Sequence, residues 1–264
     1  TPRILRKLNG NVLSLLTGGG GNNNYWHWLY NVLPRLKILR EQHELSKIDY
    51  FLFPSLDQKF QNETLDNLNI PQRKRISSVK FRHLKADKLI IIDDPILVTG
   101  NATEDIQHIP IWVLEWLKSN FLKDKRSENK RRIYIDRSNS GITDKEDRFV
   151  INENEVRNYL IKNNFTPVKL HEISFNEQIN IFNSAEFVVG LHGAGFANIV
   201  FCPPKTKIIE FRNISLLPVI ENLAVNNNLN YYSITSKEKH DLKFPSQQGS
   251  IHIPISSLSK IIEK

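Results

Sequence analysis

Val188-Val-Gly-Leu-His-Gly-Ala-Gly-Phe-Ala-Asn198 is the stretch on which the fold of this 264-residue chain turns. An apolar, β-rich run, Phe187 to Gly190, passes through His192 and two further glycines, Gly193 and Gly195, into a helical pattern from about Phe196. Strand, glycine turn and helix in that order make half of a βαβ unit. Glycines let the backbone approach a ligand closely, and the free amides of a helix start attract a phosphate. Asn198 stands where the dinucleotide fingerprint has its third glycine, and the Gly-Lys-Ser/Thr of a P-loop is missing. The spacing admits two readings: an anion cradle, or a tight strand-to-helix turn whose histidine is satisfied by its neighbours.

Outward from this stretch the same alternation recurs. On the C-terminal side, Pro203-Pro204 stops the helix, strand Lys207 to Phe211 follows, and then come a helix near Pro218 to Val225, a strand near Tyr231 to Ile234 and an amphipathic tail, Ile255 to Ile262. On the N-terminal side lie strand Ile133 to Asp136, helix Glu153 to Asn163, strand Pro167 to Leu170 and a helix from Phe175. Ser174 with Glu177 forms a capping box, and Asn152 with Glu155 resembles one. Earlier still, Val12 to Leu16 and Tyr50 to Phe53 predict strands, Tyr25 to Arg40 and Gln58 to Leu68 predict helices, and Lys88 to Ile92 predicts a buried strand ended by Asp93-Asp94-Pro95. A helix over Ile111 to Leu122 then leads into the charged segment Lys123 to Arg132, which we read as an interlobe linker. Strands alternating with helices predict α/β lobes with mostly parallel sheets, one over residues 1–124 and one over 125–264, in line with a length prior of about 150 residues per domain.

Composition narrows the function classes. Lys and Arg number 36 against 28 Asp and Glu, so the net charge of +8 favours anionic partners: nucleotides, phosphates, acidic glycans or membrane headgroups. One cysteine, Cys202, excludes an intrachain disulfide framework and points to a reducing compartment. No apolar run reaches the roughly 18 residues of a membrane span. The chain contains no methionine, which we read as the mark of a piece of something longer. The basic clusters Arg73-Lys-Arg75 and Arg82 to Lys88 lack the interleaved aromatics of a nucleic-acid platform, so we expect no nucleic acid there and instead a solvated or membrane-facing patch. The sequons at Asn62, Asn101, Asn164 and Asn213 are what chance gives in so asparagine-rich a chain.

Two further segments carry candidate chemistry. Tyr25-Trp-His-Trp-Leu-Tyr-Asn-Val-Leu-Pro-Arg-Leu36 puts His27, Asn31 and Arg35 on one helix face, with Trp28, Leu29, Val32 and Leu36 on another that packs inward. Pro34 has no N–H for the carbonyl of Tyr30 and should kink that helix. Arg131-Arg-Ile-Tyr-Ile-Asp-Arg-Ser138 puts Arg137 at the carboxyl end of a strand, where open α/β sheets hold ligands, and Arg148 follows before the helix at Asn152. Two forked guanidiniums can neutralise a diphosphate, or can be surface arginines beside a linker. Glu210, at a strand end, is placed to accept from ribose hydroxyls or to be an ordinary strand-end acid. The pair Asp93-Asp94 before a proline reads as a turn in preference to a magnesium site.

These segments resemble glycosyltransferase family 61. The resemblance rests on three ordered blocks: Tyr25 to Leu36; Tyr134-Ile-Asp-Arg-Ser138 with Arg148-Phe-Val-Ile-Asn-Glu153; and Gly190-Leu-His-Gly-Ala-Gly-Phe-Ala-Asn198 with Glu210. Position 31 is Asn where many relatives carry Asp. The resemblance implies a GT-B-like architecture, two Rossmann-like lobes facing across a cleft, and an inverting transferase that takes nucleotide sugars, usually UDP-linked, with no metal and no other cofactor. On that basis Arg137, Arg148, His192, Glu210 and the backbone of Gly193, Ala194, Gly195 and Phe196 are expected to hold the donor nucleotide. His27 is the expected catalytic base, and Asn31 and Arg35 lie on the acceptor side. The expected role is transfer to a surface polysaccharide or lipid-linked glycan, in the cytoplasm, peripheral to the inner membrane. The alternatives are a secretory-pathway transferase acting on protein or matrix glycan, and a non-catalytic module that binds nucleotide sugar or nucleic acid.

Overall fold

The computed structural model describes residues 4–17, 23–42, 45–96, 99–122, 130–137, 149–213, 216–236 and 250–263. The chain divides into two compact units, Thr1–Lys123 and Asp124–Lys264. Among the described residues each unit carries one sheet, and every strand pair in both sheets is parallel. Parallel neighbours need crossover connections, which is why strand and helix patterns alternate along the sequence.

In the first unit β1 (Arg6–Ser14), β2 (Tyr50–Phe53), β3 (Arg75–Ser77) and β4 (Leu84–Ile91) lie in the order β3-β2-β1-β4. The chain builds outward from β1 to β3, then returns to pair β4 with the other side of β1, so the strand order reverses between β1 and β4. Helix α1 (Tyr25–His27) runs into a π-helical turn, Trp28–Val32, and after Pro34 the chain restarts as α2 (Arg35–Gln42). The break is where the missing N–H of Pro34 puts it: Leu33 N reaches back five residues to Trp28 O at 3.1 Å. Trp28 Nε1 donates to Thr64 Oγ1 at 2.8 Å, tying this segment to α3 (Lys59–Asn67). Helices α4 (Ala102–Asp105) and α5 (Ile111–Phe121) complete the unit. α5 buries Val113, Leu114, Trp116, Leu117 and Phe121.

Some expectations need correction here. β3 is a strand that the pattern did not reveal. β4 is longer than predicted, and it is not buried. It forms an edge of the sheet, with Leu89 54% and Ile91 70% exposed, because an apolar run says nothing about which strands flank it. Residues 18–22, most of the glycine- and asparagine-rich stretch Gly18 to Asn24, and most of the expected linker, residues 123–129, lie outside the described residues, and Arg131 and Arg132 already belong to the next strand.

In the second unit β5 (Arg131–Ile135), β6 (Phe165–Val168), β7 (Ala185–Leu191), β8 (Lys207–Asn213) and β9 (Asn230–Ser236) lie in the order β6-β5-β7-β8-β9. This is a doubly wound order, and it reverses between β5 and β7. α6 (Glu153–Lys162), α7 (Phe175–Asn183), α8 (Val219–Asn226) and α9 (Ile255–Ile262) are its α-helices. Val156 and Leu160 of α6, Leu258 and Ile262 of α9, and Phe187, Val189 and Ile209 of the strands share one buried cluster. Each such side chain contributes about 1.5–3 kcal/mol by leaving water, so the C-terminal tail is part of the core and not an appendage.

Ser174 caps α7 as predicted: its hydroxyl accepts from Glu177 N at 3.2 Å while Glu177 Oε2 accepts from Ser174 N at 2.7 Å. Asn152 does not cap α6 in that way. Its amide donates to Glu155 Oε2 at 2.8 Å, so the two side chains do meet, but in place of a backbone N–H of the helix it serves Ile253, donating to its O at 2.9 Å and accepting from its N at 3.0 Å. The helix expected from Phe196 is a 3₁₀ helix, Ala194–Phe201, that begins two residues earlier. Both units are α/β with parallel sheets, which agrees with Rossmann-like lobes, and no described helix is long and apolar enough to cross a membrane.

Candidate functional site

The second unit has a pocket of about 180 Å³ at the carboxyl ends of its strands, where β5 and β7 part in strand order. Asp136 and Arg137 line it from the end of β5, His171 from beyond β6, and Gly193, Ala194 and Gly195 from beyond β7. Open α/β sheets bind ligands at such a reversal, because the connections leave to opposite faces and open a crevice between them. Arg137 bridges the crevice: its Nη1 donates to His192 O at 3.0 Å, linking the β5 and β7 ends.

The glycines serve close approach. A Cβ on Gly193 would lie 3.3 Å from Arg137 Nη1, and one on Gly195 would lie 2.9 Å from Leu170 Cδ1 and 3.4 Å from Ile135 Cγ2. Side chains there would press on the guanidinium and on the pocket wall. The first bond within the 3₁₀ helix is Phe196 N to Gly193 O at 3.1 Å, so the amides of Ala194 and Gly195 stand ahead of it. Phe196 therefore differs from its expected part: its N–H is used inside the turn and its ring is fully buried.

His192 and Glu210 are neighbours across β7 and β8. His192 Nδ1 meets Glu210 Oε1, and Tyr231 Oη donates to Glu210 Oε2 at 2.5 Å. Glu210 is 1% exposed with both oxygens engaged, so its place is behind His192, bracing the ring, and not open to ribose hydroxyls. Burial, then the Glu210 charge, push the Tyr231 hydroxyl above its ordinary value, which keeps it a neutral donor. At the β5 end Tyr134 Oη donates to Glu153 Oε1. Burial raises the Glu153 carboxyl above the usual range against the lowering effect of that bond, and burial followed by the Glu153 charge raises Tyr134. Arg148 lies outside the described residues.

The first unit builds its own polar cluster at the β1/β4 reversal. His27 Nδ1 meets Asn31 Oδ1 at 2.9 Å, Asn31 Nδ2 donates to both oxygens of Asp94 at 2.8 and 3.0 Å, and Arg35 Nη2 donates to Asp94 Oδ2 at 3.1 Å. Arg35 Nη1 donates to Leu16 O, just past β1, at 2.6 Å. Asn31 and Arg35 are 7% and 5% exposed, whereas His27 is half-buried. The three residues expected on one helix face thus do meet, and they meet on a residue read from sequence as a turn acid. Asp94 does form that turn, accepting from Ile96 N at 3.2 Å, but it is also the hub of the cluster. The missed signal was its position at the end of a strand parallel to β1. His171 was missed as well, and the same strand-end position marks it. Among the described residues no group of three or more His, Cys, Asp or Glu side chains forms a metal-ligand set.

Two parallel sheets, each with a polar cluster at its reversal, define an α/β protein of two Rossmann-like units. The family model described as Glycosyltransferase 61 matches residues 25–209, a span that contains His27, Asn31, Arg35, Asp94, Arg137 and His192. The chain belongs to glycosyltransferase family 61. Among curated proteins it is similar to the EGF domain-specific O-linked N-acetylglucosamine transferase of Gallus gallus, being 28% identical over 107 residues, which are 39% of this chain and 19% of that protein. The match thus spans about a fifth of the relative's length.

Proposed function

We propose that this protein is a GT-B-like, inverting glycosyltransferase that moves a sugar from a UDP-linked donor to a hydroxyl of a surface polysaccharide or lipid-linked glycan without a metal ion. The observation that carries this reading is the pocket between β5 and β7, which Arg137, Ala194 and Gly195 line, with the Arg137 guanidinium held on His192 O and the amides of Ala194 and Gly195 ahead of the 3₁₀ turn. A diphosphate gains charge as it leaves, and donors already aimed at it lower the barrier. His27 serves as the general base. The acceptor oxygen attacks the anomeric carbon, its proton passes to the ring, the bond from that carbon to the phosphate oxygen breaks, and the nucleoside diphosphate departs with the electron pair. Attack opposite the leaving group inverts the centre. Family membership supports the transferase and its nucleotide-sugar donor. The net charge of +8 supports work at the cytoplasmic face of the inner membrane, beside anionic headgroups.

The similarity to the Gallus gallus enzyme favours a second reading of the substrates, with N-acetylglucosamine as the sugar and a hydroxyl of an EGF domain as the acceptor. Calorimetric titration with UDP, GDP, CDP and ADP, each with and without EDTA, tests the donor site. UDP should bind saturably and equally in both conditions. Binding lost on chelation would overturn metal independence, and no binding by any of the four would remove the donor site. Lipid-linked glycan and a folded EGF domain, offered as acceptors with UDP-sugars, then separate the two substrate readings.

A further inference from the structure

The first unit's cluster holds a charged side chain that the transfer step never touches. The Asp94 side chain is 11% exposed and takes Asn31 Nδ2 on both oxygens. A carboxylate can only accept, so the Asn31 nitrogen faces Asp94 and its oxygen faces His27 Nδ1. An amide oxygen also only accepts. Nδ1 must then carry a proton, so in the neutral His27 ring Nε2 carries the lone pair.

We infer that Asp94 is a positioning residue: acting through Asn31, it fixes His27 as the Nδ1–H tautomer and leaves Nε2 to take the acceptor's proton. The inference rests on the reading of His27 as the base. Arg35 completes the device by pairing with Asp94 while it donates to Leu16 O, so the mostly covered acid has its counter-charge at a fixed place. The hydrogen bonds run in one direction only, from His27 to Asn31 to Asp94. A flipped Asn31 would set its oxygen against two carboxylate oxygens and its NH2 against a ring N–H, so the amide is locked. When a proton arrives at Nε2, Asn31 Oδ1 goes on accepting from Nδ1, and no atom of the chain has to turn during the step.

Nitrogen-15 NMR of histidine-labelled protein reads the tautomer without any substrate. His27 should show a protonated Nδ1 and a bare Nε2. Asn31→Ala, which leaves the Arg35–Asp94 pair in place, should move the ring toward the Nε2–H form. Its kcat, followed as UDP release from UDP-N-acetylglucosamine, should fall about 10²- to 10⁴-fold, with KM changed far less. Asp94→Asn should act the same way through Asn31. If Asp94→Asn does not fold because Arg35 is left unpaired, the double variant Arg35→Met/Asp94→Leu removes both charges and puts the same question. A wild-type ring found as Nε2–H, or variants that keep both the Nδ1–H form and full kcat, would overturn the inference. His27→Ala separates the two claims. If it retains turnover, the base assignment falls and the inference with it. If it loses turnover while Asn31→Ala keeps it, the positioning role alone is overturned.

Discussion

His27 in the first unit is braced at Nδ1 by an amide, and His192 in the second is braced at the same ring nitrogen by a carboxylate. Both stand where a parallel sheet reverses its strand order, β1/β4 in one unit and β5/β7 in the other. The fold therefore supplies the same place twice, and the residue types make the two places differ. The carboxylate brace of His192 is itself buried and held from its other side by Tyr231, so it fixes where Nδ1 sits. An amide brace suits a base that must start neutral. The acids differ in the same sense: half-buried Asp94 leans on a guanidinium, whereas buried Glu210 and half-buried Glu153 lean on tyrosine hydroxyls.

The contrast can be broken at either brace. Arg35→Ala leaves Asp94, whose side chain is 11% exposed, without its counter-charge and should cost about 3 kcal/mol of stability in denaturant unfolding. A loss under 1 kcal/mol would mean that the first unit does not depend on a paired charge. Tyr231→Phe removes a neutral donor instead, and should cost about 1–3 kcal/mol at neutral pH because Glu210 loses one partner. That cost has a pH signature. Tyr231 is pushed above its ordinary value in the folded state, so its contribution is complete below about pH 10, the unfolded value, and is lost as pH rises beyond it. The stability gap between Tyr231→Phe and wild type should shrink in thermal melts above pH 10. A gap that stays constant or widens there would show that Tyr231 braces Glu210 by packing alone.

Much of this arrangement was legible in the sequence, and the failures have a common cause. The alternation of runs gave the parallel sheets, Pro34 gave the break in the helix, and the spacing of His27, Asn31 and Arg35 gave their shared face. Local pattern could not reveal partners far along the chain. Asp94 lies 59 residues from Arg35, and only the pairing of β4 beside β1 brings them together. The exposure of Leu89 and Ile91 depends on β4 being an edge, which composition does not encode. Glu210 reads from sequence as a strand-end acid, but β8 runs on to Asn213 and makes it a mid-strand residue, and its burial behind His192 depends on β8 lying beside β7, with Tyr231 on β9. Phe196 was assigned an open amide because the sequence does not distinguish a 3₁₀ start at Ala194 from an α start at Phe196.

The central claim is that the two clusters divide the work, with the diphosphate held in the second unit and the base in the first. Calorimetric titration of UDP into wild type, Arg137→Ala and His27→Ala, with turnover measured alongside, tests it most directly. Arg137→Ala should weaken binding about ten- to a hundredfold through the loss of a charged donor. His27→Ala should bind UDP as wild type does and turn over about 10²- to 10⁴-fold more slowly. Equal loss of binding in both variants, or full turnover in His27→Ala, would contradict the division.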